Sequence, residues 1–511
     1  MNEIVNESLK KAAKGTAIAF AGMLIYMFLE FITRVIIARN TTQNEYGVFS
    51  IGFTLMSVFV IISCLGLQGG AARCIAYFRG REENEKVSGV IYSSLQLSIT
   101  AGLFSFLFVF FLSDFLASLF HLKGSIPLKV FAVAIPFYVI IEILGSIFRG
   151  FDSVREKVYF RDFLMNFLKV LLLLAVVFLG LPFIGMIYGY ALSIVIASIV
   201  FMGYAIKKLP SISSTIFMRG ELLLFSLPLL GAQVFGMVIM WMDTLMLGYF
   251  KTPDVVGLYN AAHPIAQLIQ VFLLSLVLIY IPIASQLYSK NLMEEMRRNY
   301  TVLTKWIFSI TLPFFLLVFL FPKAILEIVF GSGYIPASTA LRILAFGMLI
   351  HVFFGPNVAT LIVIGRTKLN MIYNLVGAVM NILLNLLLIP LWGIVGAAIA
   401  STISLGTVNG FTSAGIFHFH KMHPFTSNYL KLILTSTALI FVIYVITEGF
   451  FDATITIWML ILFFFLFLVI YGVCLIITRS FDEEDIMILL EMEKMMGVDF
   501  QHVKKILKSI K

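Results

Sequence analysis

Gly180-Leu181-Pro182-Phe183-Ile184-Gly185 and Leu388-Ile389-Pro390-Leu391-Trp392-Gly393 stand 208 residues apart, and each joins two long apolar stretches. A second pair has almost the same offset. Ala38…Gly47-Val48-Phe49-Ser50 aligns with Gly248…Gly257-Leu258-Tyr259-Asn260, 210 residues on. Six hydrophobic spans separate the matched points. That number is even, so both halves enter a membrane with the same polarity. Parallel repeats of this kind are related by an axis along the membrane normal and imply a central cavity between two bundles. A cavity open to alternate sides is what a transporter needs.

Of the 511 residues 60% are hydrophobic and 12% charged, with a mean hydropathy of +1.02. Soluble domains carry about 25% charged residues, so the chain is expected to be an all-α integral membrane protein. Fourteen apolar segments are each long enough to span: 15–38, 46–67, 88–112, 125–148, 159–180, 183–206, 221–249, 255–287, 299–322, 335–361, 369–390, 392–417, 430–448 and 455–478. The expected organisation is a six-helix bundle over 1–210, a second over 211–425, two further helices over 426–480 and a charged amphipathic tail over 481–511. Lys10, Lys11 and Lys14 precede the first span as in a signal sequence. That span is too long to be a cleaved one and contains Glu30 and Arg34, so it reads as an anchor.

Lys and Arg fall on alternate loops. Arg73, Arg79, Arg81 and Lys86, then Arg149, Arg155 and Lys157, then Lys207, Lys208 and Arg219 would lie inside, as would Lys290, Arg297, Arg298, Arg366, Lys368 and Lys421. The opposite connections hold Arg39, Lys123, Lys251 and Lys323. By the positive-inside rule both termini are expected in the cytoplasm of a multi-pass cell-membrane protein. The net charge of +9 then follows from topology, which argues against nucleic-acid binding. Cys64, Cys74 and Cys474 have neither metal spacing nor a disulfide framework.

An ionisable side chain in the bilayer core costs about 2.5–3.5 kcal/mol even on insertion scales, so such residues are the first candidates for function. Glu30 and Arg34 are four apart on one helix face and are expected to pair. Asp162, Asn166 and Lys169 form one stripe on the fifth span. Its repeat partner, the eleventh, carries Asn370, Asn374, Asn381 and Asn385, with Asp162 aligned to Asn370 and Asn166 to Asn374. Both stripes are expected to line the cavity, interhelical hydrogen bonding being the alternative. The eighth span presents Asn260, His263, Gln267 and Gln270. The seventh carries Gln233 and Asp243, read as sharing a face, and the tenth Arg342 and His351. Pro136, Pro228, Pro264, Pro282, Pro313 and Pro356 are hinges or static kinks.

Signals for catalysis are poor. His418, His420 and His423 cluster without a carboxylate or thiol partner, so no metal site is expected. There is no P-loop and no long outer loop with paired acids. The chain is therefore not expected to be an enzyme and needs no cofactor; coupling to protons or sodium ions stays open.

Arg34…Ala38-Arg39…Glu45-Tyr46-Gly47-Val48-Phe49 and Gly66-Leu67…Ala71-Ala72-Arg73 are followed by Leu227-Pro228…Asp243…Gly257-Leu258-Tyr259-Asn260-Ala261-Ala262. Then come Asn381…Leu384-Asn385…Leu388-Ile389-Pro390…Gly393…Gly396-Ala397-Ala398-Ile399-Ala400. In this order the chain, over residues 10–480, resembles the polysaccharide flippases of the multidrug/oligosaccharidyl-lipid/polysaccharide (MOP) exporter superfamily. The resemblance implies two six-helix bundles with two added helices and transfer of a lipid-linked saccharide from the inner to the outer leaflet. The implied partners are a polyprenyl phosphate or pyrophosphate carrier, membrane lipids and, functionally, glycosyltransferases. Three alternatives stay open: a cation-coupled multidrug exporter of the same superfamily, a membrane-embedded polymerase or glycosyltransferase, and a non-transporting assembly factor in a saccharide-export complex. The interior charges are mixed, Arg34, Lys169 and Arg342 beside Glu30, Glu142 and Asp162, which favours an anionic head group over a cationic drug. The three cations are the expected phosphate partners. Protonation of Glu30 would release Arg34 and couple transport to protons.

Overall fold

The protein is described here from a computed structural model covering residues 2–209, 216–425, 429–431, 433–434 and 457–477. Helices account for nearly all of it. They are α1 Asn2–Arg39, α2 Gln43–Ser63, α3 Leu67–Arg79, α4 Asn84–Phe111, α5 Ser113–Leu119, α6 Ile126–Gly150 and α7 Arg155–Lys157. A π-helical segment, Val158–Leu164, leads into α8 Met165–Phe178. After α9 Phe183–Lys208 come α10 Arg219–Phe250, α11 Pro253–Gln267, α12 Val271–Ser289, α13 Met293–Leu320, α14 Pro322–Phe330, α15 Ser338–Phe353 and α16 Asn357–Val363. The series closes with α17 Thr367–Trp392, α18 Ile394–His420 and α19 Ile457–Ile477.

Among the described residues eleven helical stretches are long and apolar enough to cross a membrane. They match eleven of the fourteen expected spans. The fifth expected span is present but divided into the π segment and α8, and the fourteenth corresponds to α19. The thirteenth, 430–448, lies almost wholly outside the described residues, as does the expected tail over 481–511. Large apolar side chains point outward from these helices, Phe178 at 92% exposure, Phe111 at 73% and Phe104 at 70%. In water such a surface would be an aggregation liability; in a bilayer it is the solvent-matched face.

Two compact units divide the chain: Met1–Ala261 with Ala378–Ala400, and Ala262–Gly377 with Ser401–Lys511. In the first, α6 is central. It packs against α2, α3, α4 and α9, and Ile135, Val139, Ile141, Ile143, Leu144 and Ile147 are fully buried. In the second, α13 packs against α12, α15 and α19. Tyrosines tie helices together there: Tyr280 pairs with the Thr360 hydroxyl at 2.7 Å, and Tyr300 donates to the Phe354 carbonyl at 2.8 Å.

The repeated segments take matching roles at one echo and diverge at the other. α1 ends at Arg39 and α2 begins at Gln43; 210 residues on, α10 ends at Phe250 and α11 begins at Pro253. Thr42 and Glu45 form a capping box that starts α2. The two segments then cross at glycine. A Cβ on Gly47 would lie 1.7 Å from the Pro253 carbonyl oxygen, and one on Gly257 2.2 Å from that of Gln43. The hexapeptides differ. The first breaks the helix at Gly180 (φ +64°) and Pro182, whereas α17 runs on through Pro390 to Trp392 and breaks only at Gly393 (φ +55°). Lys251 Nζ donates to the Pro390 carbonyl at 3.1 Å.

Candidate functional site

Most of the polar residues singled out above gather inside the first unit, in two places. The larger begins at the π segment. The turn widens at Val158–Leu164, where the Met165 N–H reaches the Phe160 carbonyl five residues back, and the Asn166 Nδ2 donates to the carbonyls of both Arg161 (3.0 Å) and Asp162 (2.9 Å). Arg161 and Asp162 are neighbours in this segment and their side chains meet. Arg161 Nε binds Glu142 Oε1 at 2.5 Å and its Nη1 binds Asp162 Oδ1 at 3.2 Å. Gln68 Nε2 donates to the other Glu142 oxygen at 3.3 Å.

One turn further along α8, Lys169 is 1% exposed. Its Nζ lies 3.3 Å from Glu30 Oε2 and 3.1 Å from Asn166 Oδ1, and 4.6 Å from the centre of the Tyr190 ring. Glu30 is shared: Arg34 Nε lies 3.6 Å from its other oxygen, with the guanidinium 5.3 Å from the Phe53 ring. The expected Glu30–Arg34 pair is thus present, with Lys169 as a third member. Glu30, Glu142 and Asp162 stand against Arg34, Arg161 and Lys169, three charges of each sign. Beside this network is a cavity of about 350 Å³. Gln68, Glu142, Arg161 and Gln233 supply its polar wall, and Tyr26, Phe53, Tyr138 and Trp241 its rings. Polar groups between aromatic faces are the ordinary make-up of a small-ligand site.

The second place is built on Asp243, 1% exposed near the end of α10. Tyr259 donates its hydroxyl to Oδ2 at 2.5 Å; Asn385 Nδ2 reaches Oδ1 at 2.7 Å and Asn381 Nδ2 at 3.1 Å. Asn385 also donates to Asn381 Oδ1 at 3.1 Å. Three side-chain donors thus satisfy the buried carboxyl group. Asn260, the residue after Tyr259, pairs with Thr244, the residue after Asp243, at 3.2 Å, and its carbonyl accepts the Tyr46 hydroxyl at 3.1 Å.

Other candidates go elsewhere. Gln233 and Asp243 do not share a face: ten residues make about 2.8 turns, so their side chains leave α10 about 80° apart. Gln233 lines the cavity and Asp243 does not. Asn374 donates to the Asn370 carbonyl of its own helix at 2.7 Å. In the second unit, Arg342 Nε donates to the Phe319 carbonyl at 3.1 Å, closing the last turn of α13. His351 meets Asn409 at 3.0 Å. His263 and Gln267 are half-buried on α11 in that unit, in neither cluster.

Of the cavity residues only Gln233 was among the sequence candidates, and the two charged ones were missed. Glu142 was noted only as an interior charge, and Arg161, at the third residue of its expected span, reads as an interfacial cation. Its one signal is the adjacent opposite charge, Asp162.

Comparison with known proteins is consistent over most of the length. The profile of the polysaccharide biosynthesis protein family matches residues 12–288, and that of the MatE family residues 228–387. A probable low-salt glycan biosynthesis flippase of Haloferax volcanii is 25% identical, over 78% of this chain and 81% of its own. The lipid II flippase MurJ, in an inward closed conformation, has a similar fold, with a TM-score of 0.70 at 16% identity over 89% of this chain and 98% of its own. A multidrug resistance MATE family transporter of the MOP superfamily, inward-facing, gives a TM-score of 0.65 at 18% identity, covering 78% of this chain and 94% of its own. With the fold of MOP-superfamily transporters and a profile match across more than half its length, this chain belongs to the polysaccharide biosynthesis protein family.

Proposed function

We propose that the chain flips lipid-linked saccharides across the cell membrane, from the inner to the outer leaflet by alternating access, for synthesis of a surface polysaccharide or glycan. The observation that carries this reading is the intramembrane cavity of about 350 Å³ whose wall combines amide, ion-pair and aromatic groups. Sugars ask for that mixture, hydroxyl partners at the edge and apolar ring faces above and below. The Haloferax relative, named as a glycan biosynthesis flippase, supports the same substrate class. The carrier is a polyprenyl phosphate or pyrophosphate, glycosyltransferases supply the substrate, both termini are cytoplasmic, and the chain performs no chemistry of its own.

The test is reconstitution. Purified full-length protein in sealed vesicles is given a fluorescent polyprenyl-linked saccharide in one leaflet, and its appearance in the other is followed with a membrane-impermeant quencher. Faster transfer than in protein-free vesicles is expected, with loss on Arg161→Gln. A rate equal to protein-free vesicles would overturn the proposal.

A further inference from the structure

We propose that the cavity beside Trp241 receives uncharged sugar rings and not an acidic group, and that the Glu142–Arg161 pair sets this preference. The inference rests on the flippase reading and names the part of the substrate that the cavity takes. Three observations carry it.

The first is charge balance. Arg161 is held by Glu142 at 2.5 Å and by Asp162 at 3.2 Å, while Arg34 and Lys169 are both held by Glu30. An entering phosphate or carboxylate would meet a guanidinium whose charge two carboxylates already balance. It would add a third negative charge beside Glu142 and Asp162 in a low-dielectric site, where an uncompensated buried charge costs several kcal/mol. Of the residues lining the cavity only Glu142 and Arg161 are charged, and they pair with each other. Arg149 is nearby, but it donates to the Gln68 carbonyl at 2.8 Å and does not line the cavity.

The second is the character of the polar wall. Gln68 and Gln233 offer both donor and acceptor atoms, and the ion pair adds guanidinium N–H groups and carboxylate oxygens. A sugar hydroxyl is donor and acceptor at once and can bridge such a wall without separating the pair.

The third is the ring. Trp241 packs edge-on against Phe53, centroids 5.2 Å apart at 66°, which fixes the plane of the indole. A fixed aromatic face suits the apolar C–H side of a pyranose. The volume lies near the lower bound of ligand pockets, about 300–1,000 Å³, so a short saccharide fills it.

Glu142→Gln should therefore change specificity. It keeps the shape of the side chain and leaves Arg161 with Asp162 alone, so an acidic sugar gains a charge-assisted partner. Two probes are compared on the full-length protein in detergent: a polyprenyl pyrophosphate disaccharide of two neutral hexoses, and the same lipid ending in a hexuronate. Since the carrier is common to both, the affinity ratio reports the cavity. The wild type should prefer the neutral probe by about tenfold, roughly the worth of one charge-assisted hydrogen bond. Glu142→Gln should bring the ratio to unity or invert it. Trp241→Phe, which does not touch the ion pair, should weaken the neutral probe several-fold and provides a second arm if the first variant does not fold. Equal affinity of the wild type for both probes, binding of neither, or an unchanged ratio in both variants would overturn the inference. Transfer between leaflets is measured separately, so a preference without transport would sink the transport reading alone.

Discussion

Glu30 holds two cations, and its variants should therefore rank in a definite order. Lys169→Met removes one cation but leaves Glu30 paired with Arg34 at 3.6 Å. Glu30→Gln leaves Arg34 and Lys169 together without their acid. Removing one partner of a buried pair typically costs about 3–5 kcal/mol, so Glu30→Gln is expected to fall in that range and Lys169→Met well below it. The double variant should be more stable than Glu30→Gln alone, because one unmatched cation has gone. Thermal unfolding of the three purified variants checks the order, and equal losses in Lys169→Met and Glu30→Gln would contradict it. At this scale the sequence was informative where a charge interrupts an apolar run, as at Glu30, Asp162 and Lys169. It was silent on Arg161, because whether that side chain turns inward depends on a π turn that no periodicity announces. It gave no hint that the Arg342 Nε donates to the Phe319 carbonyl at a helix end.

The alignment of 38–50 with 248–260 correctly matched two helix ends and two helix beginnings, although the capping box of Thr42 and Glu45 went unread and the expected span began at residue 46, three residues into α2. The hexapeptide echo was less faithful, since a membrane helix can run on through proline, as α17 does through Pro390 to Trp392, where Lys251 binds one of the open carbonyls of the last turn. What the alignment could not give is that the matched segments pack on each other, glycine to glycine. That contact yields a prediction. Gly47→Ala places a methyl 1.7 Å from the Pro253 carbonyl oxygen, so α2 and α11 must separate, at a cost of about 1–3 kcal/mol for overpacking. Gly203→Ala, on α9 with nothing within 4 Å, should be neutral or gain up to about 1 kcal/mol of helix propensity. Melting temperatures of the pair decide it: a Gly47→Ala protein as stable as Gly203→Ala would show that the crossing is looser than described.

Over the whole molecule, hydropathy found the spans because lipid-facing helices must be apolar, but it carries no information on how they group. The compact units divide at Ala261 and include Ala378–Ala400 in the first, a grouping set by packing and not by repeat length. Orientation is a separate question, and the first unit offers a physical argument for it. Arg79 binds Asp152 at 2.6 Å, which brings the connections after α3 and α6 to one end, together with Arg81, Arg149, Arg155 and Lys157. The opposite end gathers the Gly47–Pro253 crossing, the His121–Gly248 contact at 3.3 Å and Lys251 on Pro390, with few cations. Since cation-rich ends are retained in the cytoplasm during insertion, the Arg79–Asp152 end should be inside and Trp392, 55% exposed, outside. In a background with Cys64, Cys74 and Cys474 replaced by alanine, Trp392→Cys should react with an impermeant maleimide in intact cells, and Asp152→Cys only after permeabilisation. The reverse pattern would invert the topology and, with it, the direction of transfer proposed for the saccharide.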